Sequence, residues 1–339
     1  MHYILAKNID WIDPLIEEIK NSFQTESERV PGLPFIKVSE ELDLRGKYIA
    51  FSTCALINTI HFPEDSISKQ AASIVDTISE KINEDETINL HVFSMTNKYG
   101  VLETGRAEIL KDKIHKNLRK NKVRILRKKF DRSIATIQVM LLDDRSAILS
   151  VQDSSEVPHY NSLYSPYVGG FNNVEDDKKA PSRAFKKIVE AQEVMGKKIS
   201  SGETLIDLGA CPGGWTYIAR NNGASVIAID RSELREDLME DSQVEFLQTD
   251  AFKYRPEQTL DWSVSDIIST PDRVMELITT WVIGKLCRNF IFTIKFQGKD
   301  GYLVLEDFKK LADSSDFNII LKQLNANKNE VTIMGSEKV

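Results

Sequence analysis

The sequence predicts an α/β protein. Its second half reads as a mainly parallel sheet covered by helices on both faces, and a smaller α+β domain precedes it. Three observations carry this. From Ala180 onward, short apolar runs alternate with helical patterns, as in strand–helix–strand units that close into a parallel sheet. One junction, TLIDLGACPGGW from Thr204 to Trp215, reads as a buried strand, a glycine-rich turn and a helix. The two final apolar runs are separated only by the polar stretch Asn325–Asn329, which predicts an antiparallel edge hairpin.

The chain has 339 residues, room for about two domains, and is 41% apolar and 28% charged, as expected of a soluble globular protein. Its net charge of −7 means that nucleic-acid binding has to be argued from local patches. Cys54, Cys211 and Cys287 are scattered without a C-x-x-C. That pattern predicts free thiols in a reducing compartment and argues against a metal site. The N-terminal MHYILAKNIDWID lacks the long apolar core of a signal peptide. No run approaches the ~18 apolar residues of a membrane span. The expectation is a cytoplasmic protein with no membrane or metal partner, monomeric by default.

Residues 1–45 carry no visible chemistry and stay unassigned: Tyr3–Leu5 suggests a strand, Ile12, Leu15, Ile16 and Ile19 have helical spacing, and VPGLP marks a turn. Residues 46–155 read as a small α/β domain. KYIAFSTCALI and INLHVFSM are expected strands, and Pro63–Asn83 and Ala107–Lys120 are amphipathic helices. SIATIQVMLLDD and RSAILSVQD are expected to form a hairpin at Asp143–Asp144. Residues 156–179, with Pro158, Pro166, Gly169, Gly170 and three acids, read as a linker, and 180–339 as the second domain. There, APSRAFKKIVEAQEVMG is a helix begun by Pro181 and Ser182. TLIDLGA, SVIAID, VEFLQTD, DWSVSDII and NFIFTIKF are successive strands, Val274–Leu286 and Leu305–Ala312 are helices, and FNIILKQLN and EVTIMG close the sheet.

Between Arg106 and Arg132 there are twelve Lys or Arg against three acids. Lys111, Lys116, Arg119, Lys120, Arg124, Arg127 and Lys128 are its candidate RNA-phosphate contacts, because an excess of this size in an acidic chain can replace the counterions of a phosphate backbone. A solvated helix face is the alternative for any basic run. The layout resembles a THUMP domain, an RNA-binding module attached to RNA-modifying enzymes.

The turn after Leu208 departs from dinucleotide sites, because Cys211 stands where G-x-G-x-x-G needs its second glycine, and no G-K-[ST] follows. The string D-x-G-x-x-P-G-G-W instead resembles motif I of S-adenosylmethionine-dependent methyltransferases, and more narrowly that of the FtsJ-type RNA ribose 2'-O-methyltransferases. APSR…K, DLGACPGGWTY, TDAFKYRP and the terminal EVT are similar to the RlmM-like family of bacterial large-subunit (23S) rRNA cytidine 2'-O-methyltransferases. The resemblance implies a class I methyltransferase fold, Rossmann-like, with a mainly parallel seven-stranded sheet and S-adenosyl-L-methionine as cofactor. The cofactor is expected at Ser182, Gly209, Cys211, Pro212, Gly213, Gly214, Trp215, Asp230, Asp250 and Asp266. Asp230 falls 21 residues after Gly209, at the end of a strand, where a carboxylate can accept ribose hydroxyls.

FtsJ-type enzymes use a Lys-Asp-Lys-Glu tetrad, which the resemblance carries onto Lys187, Asp266, Lys295 and Glu330, with Lys186 the adjacent competitor for the first position. Independently, Lys295 lies within the apolar strand FIFTIKF, costly unless its amine reaches a polar site or snorkels to water. A ribose 2'-hydroxyl must lose its proton as it attacks a sulfonium methyl, and a lysine whose pKa falls towards neutrality can take it. Two other readings stand beside this one. A non-catalytic RNA-binding protein could keep the fold as a scaffold. A base or small-molecule methyltransferase is disfavoured because SDIIST stands where N/D-P-P-Y/F would be expected.

Overall fold

A computed structural model describes all residues except 97–99, 103, 128, 129, 173, 299 and 339. The chain divides into two compact units, Met1–Asn172 and Asn173–Val339.

The first unit begins with a four-stranded antiparallel sheet, ordered β2-β3-β1-β4. Its strands are β1 (His2–Leu5), β2 (Glu28–Arg29), β3 (Phe35–Val38) and β4 (Cys54–Leu56), with helix α1 (Ile12–Phe23) between the first two. β1 pairs with both β3 and β4, so residues on either side of position 45 share one sheet. The second sheet is built from β5 (Ile60–Phe62), β6 (Thr87–Thr96), β7 (Gly100–Leu102), β8 (Arg124–Ile125), β9 (Ala135–Leu141) and β10 (Ala147–Gln152), in the order β5-β10-β9-β6-β7 with β8 beside β6. Helices α2 (Ile67–Ser79) and α3 (Gly105–Lys120) bury Ile74, Ile78, Leu110, Ile114 and Leu118 against Val92, Val139 and Leu149 of this sheet. Ser66 and Thr104 cap the two helices, accepting the N–H groups of Lys69 and Ala107. The expected hairpin pairs Ala147 with Leu141.

Two stretches differ from expectation. Only Cys54–Leu56 of KYIAFSTCALI is a strand. Ala50 and Phe51 are fully buried in a turn, where the Glu18 carboxylate accepts their N–H groups at 2.7 and 2.9 Å. The Trp11 ring stacks on Phe51 at 5.4 Å. A side-chain carboxylate has replaced the sheet ladder as hydrogen-bond partner, which an apolar run alone does not reveal. Residues 156–172 pack into the same unit, with Val157, Tyr160, Leu163 and Tyr164 buried and Ala55 N–H donating to the Leu163 carbonyl at 3.0 Å.

The second unit comprises helices α4 (Phe185–Met195), α5 (Gly214–Asn221), α6 (Glu236–Met239), α7 (Pro271–Ile278) and α8 (Leu305–Ser314). Its strands are β11 (Thr204–Leu208), β12 (Ser225–Asp230), β13 (Val244–Gln248), β14 (Leu260–Ser265), β15 (Cys287–Lys295), β16 (Phe317–Lys322) and β17 (Glu330–Glu337). They form the expected seven-stranded sheet, ordered β13-β12-β11-β14-β15-β17-β16. β11 to β15 run parallel to their neighbours, while β17 is antiparallel to β15 on one side and β16 on the other. The final hairpin therefore inserts its second strand into the sheet and leaves β16 at the edge. The chain winds outward in both directions from the β11/β14 pair, which opens a crevice at the carboxyl ends of these strands. α4 starts at Phe185, not at Pro181: residues 178–184 form turns pinned by the Trp215 indole, whose N–H donates to the Ala184 carbonyl at 2.9 Å.

Glu18→Ala should destabilise the first unit by about 2–4 kcal/mol, since two buried N–H groups lose a charged acceptor. Urea unfolding followed by tryptophan fluorescence, sensitive to the Trp11–Phe51 stack, measures it; a loss below about 0.5 kcal/mol would remove the carboxylate as the organiser of this turn.

Candidate functional site

Four ionisable side chains meet where β14 and β15 end and β17 begins. Lys295, the last residue of β15, is the cross-strand partner of Glu330, the first of β17. Asp266 follows β14 directly, and Lys187 projects from the first turn of α4. Lys187 Nζ lies 2.9 Å from Asp266 Oδ1 and 2.6 Å from Glu330 Oε1. Lys295 Nζ lies 2.5 Å from Asp266 Oδ1 and 3.3 Å from Glu330 Oε2. Each lysine thus bridges both carboxylates. The side chains are 11% (Lys187), 18% (Asp266), 21% (Lys295) and 8% (Glu330) exposed, so the cluster is largely withdrawn from water. Burial opposes the Lys187 ammonium, but Asp266 and Glu330 outweigh it and hold its pKa above the ordinary lysine value. For Glu330, burial is outweighed by Lys187 and Lys295, and its pKa is lowered. The neighbouring Lys186 turns away and pairs with Asp176 at 2.7 Å, which separates the two candidates for this position.

The glycine turn lies next to the cluster. Ser265 Oγ donates to the Leu208 carbonyl at 2.7 Å, tying the ends of β14 and β11 together. Gly209 has φ 83°, and a Cβ there would stand 2.9 Å from Ile267 Cγ1, so the segment after Asp266 packs on the turn. Gly213 caps α5 at φ 105°. Both positions lie in the left-handed region that favours glycine. A Cβ on Gly214 would stand 2.6 Å from Ser182 Oγ, which places Ser182 over the first turn of α5. The Cys211–Pro212 bond is cis, and Cys211 is exposed. Asp230 ends β12, where its carboxylate accepts the N–H groups of Cys211 and Ser232, both at 2.9 Å. Asp250 lies two residues beyond β13 and accepts the Phe252 N–H at 3.0 Å. Trp215 is buried and spends its N–H on Ala184, so it holds the loop before α4.

Four further residues bear on the site: Glu190, Asn329 and Ile268 lie outside every motif, and Asp207 is the first residue of D-x-G-x-x-P-G-G-W. Glu190, one turn after Lys187 on α4, accepts the N–H groups of Asn325 and Ala326 at 2.8 and 3.1 Å and so ties α4 to the β16–β17 turn. Asn329 Nδ2 donates to the Phe296 carbonyl at 3.1 Å, bridging the segments that carry Lys295 and Glu330. Ile268, two residues beyond Asp266, is 91% exposed. Asp207 is fully buried on β11, its carboxylate accepting the Thr216 hydroxyl at 2.7 Å. Burial, against the Thr216 bond and helped by Asp266 and Asp230, pushes its pKa up to about 7. Position i+3 on a helix and a polar turn beside a motif were the available signals for Glu190 and Asn329.

In the first unit, Lys111, Lys116, Arg119 and Lys120 lie on α3, whose inward face is Ala107, Leu110, Ile114 and Leu118. Arg124 belongs to β8 and Arg127 follows it, while Lys128 lies outside the described residues. Among the described residues no group of three His, Cys, Asp or Glu could hold a metal ion, and no helix is long and apolar enough to cross a membrane.

Residues 180–338 match the FtsJ-like methyltransferase family. The chain is 34% identical over 208 residues to ribosomal RNA large subunit methyltransferase M of Xanthomonas axonopodis pv. citri, covering 58% of this chain and 58% of that protein. It is 36% identical over 205 residues to the protein of that name from Psychromonas ingrahamii, covering 57% and 54%, and 36% identical over 183 residues to that of Shewanella pealeana, covering 50% and 51%. The chain spans a little over half the length of these curated relatives.

Asp207 holds a proton in the folded state that the unfolded chain releases near 3.8, so stability falls as pH rises from about 4 to about 7 and is level above it. Asp207→Asn keeps an acceptor for Thr216 and removes this dependence. It should exceed wild type by a few kcal/mol, order of magnitude, at pH 8 and match it near pH 4.5. Urea unfolding at the two pH values measures the difference, and parallel curves would mean that Asp207 is ionised in the fold.

Proposed function

We propose that this chain is an S-adenosylmethionine-dependent RNA methyltransferase that modifies a ribose 2'-hydroxyl, with a cytidine of large-subunit (23S) rRNA as its target. What supports the reaction class most is the convergence of Lys187, Asp266, Lys295 and Glu330 at one end of the sheet, beside the glycine turn. A buried four-charge cluster is no more stable than apolar packing of the same volume, so its presence calls for a chemical reason. The match of residues 180–338 and the names of the relatives support RNA as the substrate and rRNA as its source.

The turn suits the cofactor. Glycine at 209 and 213 keeps side chains off the backbone approach, the N-terminus of α5 is open, and Asp230 holds a carboxylate at the end of β12 for ribose hydroxyls. S-adenosylmethionine supplies an electrophilic methyl group there. In its neutral form Lys295 Nζ takes the proton from the 2'-hydroxyl. Lys187, its pKa raised, stays an ammonium and fixes Asp266 and Glu330. The two carboxylates aim the Lys295 amine, so the residual task is in-line placement of the oxygen. Ile268 offers the incoming nucleotide an apolar contact. In the first unit, the THUMP-like basic segment holds RNA through its phosphates, with Lys111, Lys116, Arg119, Lys120, Arg124, Arg127 and Lys128 as contacts.

Single-turnover transfer of labelled methyl to rRNA tests the chemistry. Lys295→Ala and Lys295→Arg should both lose at least about 100-fold in rate while cofactor affinity stays within about twofold, because Arg keeps the charge but has no neutral form near pH 7 to accept a proton. Lys187→Ala should lose most activity and Lys186→Ala almost none. A Lys295→Arg enzyme within about threefold of wild type would withdraw the general-base role.

Charge reversal of Lys116, Arg119 and Lys120 to Glu should weaken RNA binding and flatten its dependence on log salt, with S-adenosylmethionine affinity unchanged by calorimetry. An unaltered salt slope would return the segment to a solvated face. Mapping 2'-O-methylation on 23S rRNA from a strain lacking this protein identifies the nucleotide, and an unchanged map would overturn the rRNA target.

A further inference from the structure

The basic segment is not an even stripe. Past the end of α3 the chain turns sharply at Lys122, in the left-handed region at φ 58°, and returns as β8. The Val123 N–H closes the helix on the Leu118 carbonyl at 3.0 Å. Between helix and strand lies a concavity of about 400 Å³. It is lined by the exposed Arg119, Lys122, Arg124 and Arg127, by the half-buried His115 and Ile125, and by Val123, whose side chain belongs to the core. Among the described residues no carboxylate lines it.

Two of the four cations are partly engaged: Lys122 pairs with Glu84 at 2.8 Å, and Arg124 donates to the Asp85 carbonyl at 2.5 Å. Arg119 and Arg127 have no ion pair among the described residues. The negative end of the α3 dipole favours cations in its last turn, which accounts for Arg119 and Lys120. It does not account for Arg124 and Arg127, which lie beyond the helix. A volume of this size is that of a small-molecule site, and the half-buried Ile125 side chain among three guanidinium groups suits a ligand that is anionic at one end and flat and apolar-faced at the other. Phosphates of a duplex are met on a convex surface and need no floor, because the bases are stacked inside. A base swung out of a single strand has a free π-face, and guanidinium planes stack on it as well as gripping its phosphate.

We propose that this concavity seats one unpaired nucleotide of RNA, its phosphate on Arg119 and Arg127 and its base against Ile125. The proposal rests on the RNA-binding role of the first unit and adds that this unit selects single-stranded over duplex RNA.

The test uses the full chain and fluorescence anisotropy at 0.1 M salt, with a labelled twelve-nucleotide oligouridylate and a labelled twelve-base-pair RNA duplex as probes. Wild type should bind the single strand at least tenfold more tightly than the duplex. Ile125→Asp should cost the single strand tenfold or more and the duplex less than twofold. Arg119→Ala/Arg127→Ala, on exposed side chains that leave the core intact, should cost the single strand more than the duplex, while Lys116→Ala weakens both alike. Equal affinity of wild type for the two probes, or an equal loss on both in the double-arginine variant, would overturn the nucleotide seat and leave a plain phosphate surface. Absence of binding to either probe would instead overturn the RNA-binding role itself.

Discussion

Two lysines and two carboxylates at the end of one sheet hold each other in place, and most of the second unit is arranged so that they can. Removing any one leaves an uncompensated charge with little water to solvate it, a cost of about 3–5 kcal/mol for a buried pair. The cluster therefore demands accurate geometry from four separate elements. β15 and β17 supply Lys295 and Glu330 as a cross-strand pair, so a slip of one residue would send them to opposite faces. β14 ends one residue before Asp266, and α4 brings Lys187 in from the side. Glu190 on the hairpin turn and Trp215 on the loop before α4 keep that helix in register with the sheet.

The glycine turn spends stability for access. Gly209 and Gly213 adopt backbone conformations that favour glycine, and Ile267 and Leu238 crowd the places where side chains would grow. Asp207 is buried beneath the turn, where its carboxyl accepts the hydroxyl and the N–H of Thr216, and burial nevertheless pushes its pKa up.

The first unit solves a different problem. Its helices are stabilised by apolar faces packed on a sheet, which leaves the outer face of α3 free to carry Arg106, Lys111, Lys113, Lys116, Arg119 and Lys120 against the acids Glu108 and Asp112. In a chain of net charge −7 that segment repels itself locally, and a polyanion relieves the repulsion.

Much of this was legible in the sequence. Periodicity is local, so alternating apolar runs marked the strands of the second unit, and D-x-G-x-x-P-G-G-W marked the turn. Motif resemblance singled out Lys187, Asp266, Lys295 and Glu330, one residue per element, and the fold brings these four side chains together. What local pattern could not decide was anything set by a distant partner. KYIAFSTCALI looks like a strand because burial, not sheet pairing, makes a run apolar; a carboxylate on α1 settled its shape. Pro181 and Ser182 looked like a helix start, yet the Trp215 indole holds that segment in turns. The choice between Lys186 and Lys187 turned on which side of α4 faces the sheet, and the Asp176 pair resolved it. Sequence by itself determined which residues were apolar, charged or glycine, and hence the class of fold and the turn. Only tertiary structure decided which charges meet, because Coulomb and hydrogen-bond energies depend on distances that chain separations of 29 to 143 residues leave open.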